Sequence, residues 1–198
     1  MLMALLSFAL ALQVSAGAPD QCELHVFPTE KITVATSLGN GLLLGAFAGR
    51  DQPKDIFLRD LPKETQISAV ATIPDLASSL GYSSVTVVPE TTSYDVKAAK
   101  KTTARLTGSQ ATCYAELVFT DVVYSSNGLN GRHIGSMSVL RRFDSGRLIS
   151  VSQMGGAGKL SLYPSPRAED QPTARNELVG AFRESIQNAI RRFAKIKT

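Results

Sequence analysis

The chain has only two cysteines, Cys22 and Cys113, and two histidines, His25 and His133, so the chemistry open to it is limited from the start. The histidines stand in "CELHV" and "GRHIG", outside any HxH, HExxH or CxxC setting, and a zinc site would need distant carboxylates to converge on them. A Ser-His-Asp constellation would also have to use one of them, yet no G-x-S-x-G elbow is present. What remains for such chemistry is His133 with Asp121 and a loop serine, which supports an alternative reading as a periplasmic hydrolase. "GGAGKL", Gly155–Leu160, imitates a phosphate loop and fails twice. Gln153 holds the place of the first glycine, and Leu160 that of the magnesium-binding Ser or Thr. A strand-end bulge or turn is the expected role of that stretch. No catalytic residue, metal or cofactor is assigned.

Cys22 follows an apolar run, Leu2–Leu12, that is too short for the ~20 residues of a membrane-spanning helix and has the length of a signal-peptide core. Val14-Ser15-Ala16 supplies small or aliphatic residues for cleavage after Ala16, although no Lys or Arg precedes the run. Pro19, Asp20 and Gln21 are wrong for lipidation of Cys22. The chain is therefore expected to be periplasmic or secreted, with a signal peptide over 1–16 and a single domain over 17–198. In an oxidising compartment two cysteines are expected to pair. Cys22, Leu24 and Val26 share one face of their segment, and Cys113, Ala115, Leu117, Phe119 and Val123 one face of theirs, so both thiols point toward a core. A Cys22–Cys113 bridge would add up to about 4–5 kcal/mol in the chain-entropy model; two separate buried thiols are the alternative.

The elements that would carry these residues follow from pattern. "CELHVF" and "KITVAT" are short strands broken at Pro28, and the glycine-rich residues 37–54 fit a twisted hairpin or packed loop better than a helix. "PKETQISAVAT" and "PDLASSLG" form a helix pair with Gly81 as a stop; "SSVTVVPE" is a strand. A short helix near Tyr94–Lys100 interrupts a polar connection. Three strands follow, "ATCYAELVFTDVVYSS", "GRHIGSMSVLRRF" and "GRLISVSQMG", the last two joined by Asp144-Ser145-Gly146. Leu178, Phe182, Ile186, Ala189, Ile190 and Phe193 then recur at helical spacing. The fold class is α+β: an antiparallel sheet with a C-terminal three-strand meander, covered on one face by a central helix pair and a long C-terminal amphipathic helix.

Charge is distributed unevenly. The net +4 of the chain equals the excess within Thr173–Thr198 alone, six basic residues against two acidic, and no dense basic footprint of a nucleic-acid binder exists. Arg132, Arg141, Arg142 and Arg147 surround the last hairpin, Arg141 and Arg142 on opposite faces, and read as a solvated sheet edge. Arg142, Arg191, Arg192 and Lys195 are the candidate contacts for a partner.

"CELHVFP", "GAFAGR" and "CYAELVFTDVVY" together resemble a family of uncharacterised exported bacterial proteins that share C-E-L-H-V, an aromatic residue and Pro, with C-Y-A-E-L-V in a later strand. The resemblance covers most of the mature chain in separated pieces, implies the same pairing of cysteine-bearing segments, and brings no function with it. The order of elements is similar, more distantly, to small α/β accessory domains of the bacterial envelope, such as the amino-terminal domain of TolB and the auxiliary lipoproteins of lipid-transport ABC systems. The expectation is an exported, non-catalytic cell-envelope protein that binds a protein or an amphiphile through a sheet edge or a helix-flanked groove.

Overall fold

The computed structural model describes residues 21–36, 53–127 and 131–196. The expected signal peptide with its cleavage site, and residues 37–52 of the glycine-rich stretch, lie outside the described residues. Six strands form one sheet: β1 (Gln21–Phe27), β2 (Ile32–Thr36), β3 (Ser84–Pro89), β4 (Cys113–Asn127), β5 (Gly131–Asp144) and β6 (Arg147–Leu160). The spatial order is β3-β1-β4-β5-β6, with β2 also on β4. Helices α1 (Pro53–Asp60), α2 (Lys63–Ala71), α3 (Leu76–Leu80), α4 (Val96–Lys101) and α5 (Gln171–Ile196) complete the α+β fold. No helix among the described residues is long and apolar enough to cross a membrane.

The meander β4-β5-β6 is antiparallel, whereas β1 and β2 run parallel to β4, and β3 runs parallel to β1. Parallel neighbours need a crossover, and α1, α2 and α3 supply it between β1 and β3. Both β1 and β2 lie along the same side of the long β4, Glu23–Phe27 on Tyr114–Val118 and Ile32–Thr36 on Val122–Ser126. Pro28 marks the break between them. Gln66 of α2 repairs that break, because its buried amide accepts from Thr29 N at 3.1 Å and donates to Thr29 O at 2.9 Å. β4 bulges opposite the break, its register shifting between Phe119 and Asp121. One extra residue reverses the alternation, so Val122 and Tyr124 continue the core face and Val123 does not, contrary to the simple period-two expectation.

Helices α1, α2, α3 and α5 cover one face of the sheet, over a core that includes Leu24, Val26, Phe57, Leu117, Phe119, Tyr124, Ile134, Leu140 and Phe182. Helix α1 was not expected from the sequence, yet it places Phe57 against the rings of Tyr124 and Tyr163, at 4.9 and 5.3 Å between centroids. "GGAGKL" is neither bulge nor turn; it is the last stretch of β6. A Cβ on Gly156 would collide with the carbonyl of Ser185, and one on Gly158 with that of Ala181. These glycines let α5 lie directly on the strand. Cys22 and Cys113 are joined, so the disulfide links β1 to β4 as expected.

Candidate functional site

The opposite face of the sheet holds most of the chemistry. Arg141 and Glu116 sit opposite each other on β5 and β4, both 0% exposed, and form a buried ion pair through Arg141 Nη1 and Glu116 Oε2. Arg141 Nη2 donates to the carbonyls of Thr102 and Ala104 at 2.6 and 2.7 Å. Glu116 Oε1 accepts from Leu106 N at 2.6 Å and from the Tyr114 hydroxyl at 2.7 Å. Arg105 stacks over the Tyr114 ring at 4.4 Å and donates to Ser109 O and Ala111 O. The irregular segment 102–112 is thereby strapped across the sheet. Burial first, and then the neighbouring Glu116, push the Tyr114 phenol well above its ordinary range, so it stays a neutral donor.

The strap continues to His25. Its Nδ1 lies 2.6 Å from Glu90 Oε1 and its Nε2 3.0 Å from Glu23 Oε2, with the ring 4.7 Å from that of Tyr114. Ser109 Oγ donates to the same Glu23 oxygen at 2.6 Å. That hydrogen bond and the one from His25 hold the Glu23 carboxyl below its usual value. At 5% exposure, with a carboxylate on either side, His25 is an internal link rather than a base open to substrate. His133 lies opposite Ser125, whereas Asp121 lies opposite Met137, four residues along β5. About 13 Å of strand separates the two positions, so the hydrolytic grouping of His133 with Asp121 is not assembled.

Of the four basic residues, only Arg147 stays exposed on the edge strand β6, and the three on β5 do not form the solvated edge that the sequence suggested. β5 is an interior strand, and the register sends Arg141 into the buried pair. Arg132 instead clamps the turn after β6, donating to the carbonyls of Ser161, Leu162 and Pro164. Arg142 lies on the helix-covered side, its guanidinium 5.1 Å from the Tyr82 ring centroid and Nε 3.1 Å from the Tyr82 hydroxyl. Arg191 and Arg192 are exposed on the last turns of α5, and no described residue forms an ion pair with either. Lys195 belongs to the same helix end, with its side chain outside the described residues. Among the described side chains, Arg142 forms no hydrogen bond or ion pair with Arg191 or Arg192, so these three do not make one contact set.

A cleft of about 430 Å³ opens where β1 breaks and β4 bulges, beside the start of α4. Tyr94, Asp95, Val96, Asp121, Met137 and Gln153 are among its lining residues. The Asp95 side chain caps α4 by accepting from Ala98 N at 2.7 Å. Asp121 Oδ2 takes Lys31 Nζ at 3.0 Å and the Thr33 hydroxyl at 2.9 Å, while its Oδ1 is buried with no partner. Sequence reasoning missed this site because a bulge leaves no residue-type signature. The one legible sign was Pro28, which had to interrupt a strand somewhere.

No family model matches the chain, and no curated protein matches it. Among solved structures, the chain is similar to the hypothetical protein CT253 from Chlamydia trachomatis, with 10% identity over 89% of this chain and 95% of that one, at a TM-score of 0.36.

Proposed function

We propose that the protein is an exported, non-catalytic component of the cell envelope that binds a protein partner by accepting a strand along β6. The observation that carries this reading is the character of that edge. β6 is the outermost strand on its side, runs for 14 residues, and has no described strand on its outer side. Edge strands ordinarily guard against pairing with charge, proline or brevity. β6 carries charge only near its ends, at Arg147 and Lys159, has no proline, and leaves Ile149 57% exposed. Such an edge suits strand addition, in which main-chain hydrogen bonds give affinity and alternate side chains give specificity. Helix α5 backs β6 closely and would keep it flat and rigid as a template. Its exposed Arg191 and Arg192, with Lys195, supply positive charge for an acidic segment of the partner.

Export is supported by the disulfide, which persists in oxidising compartments, and by the apolar run before it. The non-catalytic part is supported by the commitment of His25, Glu116 and Arg141 to internal partners.

The test is photo-crosslinking in cells from a reactive side chain at Arg147, read in the periplasmic fraction. A discrete adduct is expected there, falling at least about fivefold when Ile149→Lys puts charge on the edge. The thermal midpoint should be unchanged, because the Ile149 side chain is largely exposed. An adduct indifferent to Ile149→Lys, or protein found only in the cytoplasm, would overturn the proposal.

A further inference from the structure

Building on the strand-addition reading, we infer that the edge of β6 accepts a short acidic strand, confined to Val151–Gly155 by Asn188 of α5 and held there by Arg191 and Arg192. In an antiparallel ladder the N–H and C=O of one residue point to the same side, and those of the next residue to the other. A Cβ on Gly135 would lie 3.2 Å from Gly156 O, so the Gly156 carbonyl faces β5. The main-chain groups of Val151, Gln153, Gly155 and Ala157 therefore face away from β5. The two ends of this outward row differ. Asn188 Nδ2 donates to Ala157 O at 3.2 Å, a side chain in the place that a partner's N–H would take. Beyond it, Ser161 N is held by Glu177 at 2.7 Å and Ser161 O by Arg132. No hydrogen bond from a described residue reaches the outward groups of Val151, Gln153 or Gly155. That open part spans about 13 Å, room for a partner segment of about five residues.

Charge then selects the segment. A Cβ on Gly158 would meet Ala181 O, and one on Gly156 would meet Ser185 O and Ala189 N, so α5 runs back along β6 toward the start of the strand. At about 1.5 Å per helical residue, Arg191 and Arg192 come about 10 Å beyond Ser185, which brings them level with the open row near Gln153. Both are exposed. A strand laid on that row turns alternate side chains toward α5. Carboxylates at those positions would meet the two guanidinium groups, and lysines there would be repelled. The intervening side chains face the strapped side beside Val151, which packs on the Phe27, Val118 and Val139 cluster and suits an apolar neighbour.

The experiment is a ¹⁵N–¹H correlation titration of the disulfide-linked protein with the peptide Val-Glu-Val-Glu-Val-Thr-Val, blocked at both ends, and with a control peptide carrying lysine for glutamate. The acidic peptide should shift the Val151, Gln153 and Gly155 amides saturably, leave Lys159 unmoved, and bind at least about tenfold more tightly than the lysine peptide. Changing Arg191 and Arg192 together to Glu should weaken it at least about tenfold. Asn188→Ala removes the donor at Ala157 without loss of helix propensity, and the shifts should then extend to Lys159. Equal binding of the two peptides, shifts centred away from β6, shifts at Lys159 in the native protein, or none there in Asn188→Ala would overturn the inference. Absence of peptide binding, while the Arg147 adduct persists and still falls with Ile149→Lys, would overturn it alone. Loss of that adduct removes the strand-addition reading beneath it.

Discussion

Leu24 and His25 are neighbours on β1 and end on opposite faces of the sheet in contrasting surroundings. Leu24 lies among aliphatic and aromatic side chains beneath the helices. His25 lies among Glu23, Glu90 and Tyr114, in a layer that contains a fully buried ion pair. The helix-covered face is held by apolar burial, which is non-directional and tolerates modest repacking. The strapped face adds directed bonds, each sensitive to loss of its partner, to a smaller apolar cluster of Phe27, Ala99, Val118 and Val139. The difference has a cause in the cover. Segment 102–112 has little regular structure, so its carbonyls and amides need partners, and Arg141, Glu116 and Arg105 provide them. A helix satisfies its own backbone and asks the sheet only for an apolar surface.

The largest effect expected from this contrast is at Arg141. Arg141→Met would leave Glu116 buried without its cation and strand the carbonyls of Thr102 and Ala104, costing about 3–5 kcal/mol. That is comparable to Phe182→Ala in the helix-covered core, at about 3–5 kcal/mol. The decisive comparison is Arg141→Met with Glu116→Leu. Denaturant unfolding should show the double variant more stable than Arg141→Met alone, because the orphaned charge is gone. A strictly additive result would mean that the strapped face is held by packing like the other.

A smaller loss is expected where the helix-covered face is least forgiving. Gly156→Ala places a methyl group against the Ser185 carbonyl, a backbone group that cannot rotate away. Helix α5 must shift, at a cost of about 1–3 kcal/mol. Unfolding of Gly156→Ala and of Gly155→Ala, whose new Cβ would press on the flexible Met137 side chain and meet Ser136 O only at an ordinary 3.7 Å, separates close packing from strand propensity.

The smallest effect tests a directed bond at the margin of the helix-covered face. Glu177 of α5 accepts from the backbone N–H groups of Ser161, Leu162 and Tyr163 at 2.7, 2.8 and 2.7 Å. Burial alone would raise its carboxyl, but these three donors outweigh burial and hold it below its ordinary 4.5. Because the folded value is the lower one, the stabilisation is complete above the unfolded value and disappears as pH falls through the folded one. Glu177→Gln should cost about 1–2 kcal/mol at neutral pH. That gap should close as unfolding is measured at successively lower pH below 4.5.

Much of the architecture was legible because it rests on local periodicity. The meander, the Asp144-Ser145-Gly146 turn, the Gly81 stop and α5 are visible in spacing and turn chemistry. The parallel placement of β1, β2 and β3 was not, since strand direction depends on which segments meet after the crossover. Arg141 and Arg142 show the same limit at the candidate sites. Alternation put them on opposite faces, but it did not say that segment 102–112 would bury one and Tyr82 would stack on the other.

By itself, the sequence determined the α+β class, the two thiol-bearing strands, their shared face and the scarcity of histidine and cysteine, since each follows from residue type and short-range period. Tertiary structure alone decided the strap over His25, the α5 contact on Gly156 and Gly158, and the cleft at the β4 bulge. These arise where segments distant in the chain are forced together. The free energy of such a contact belongs to the pair of segments, and neither segment records it alone.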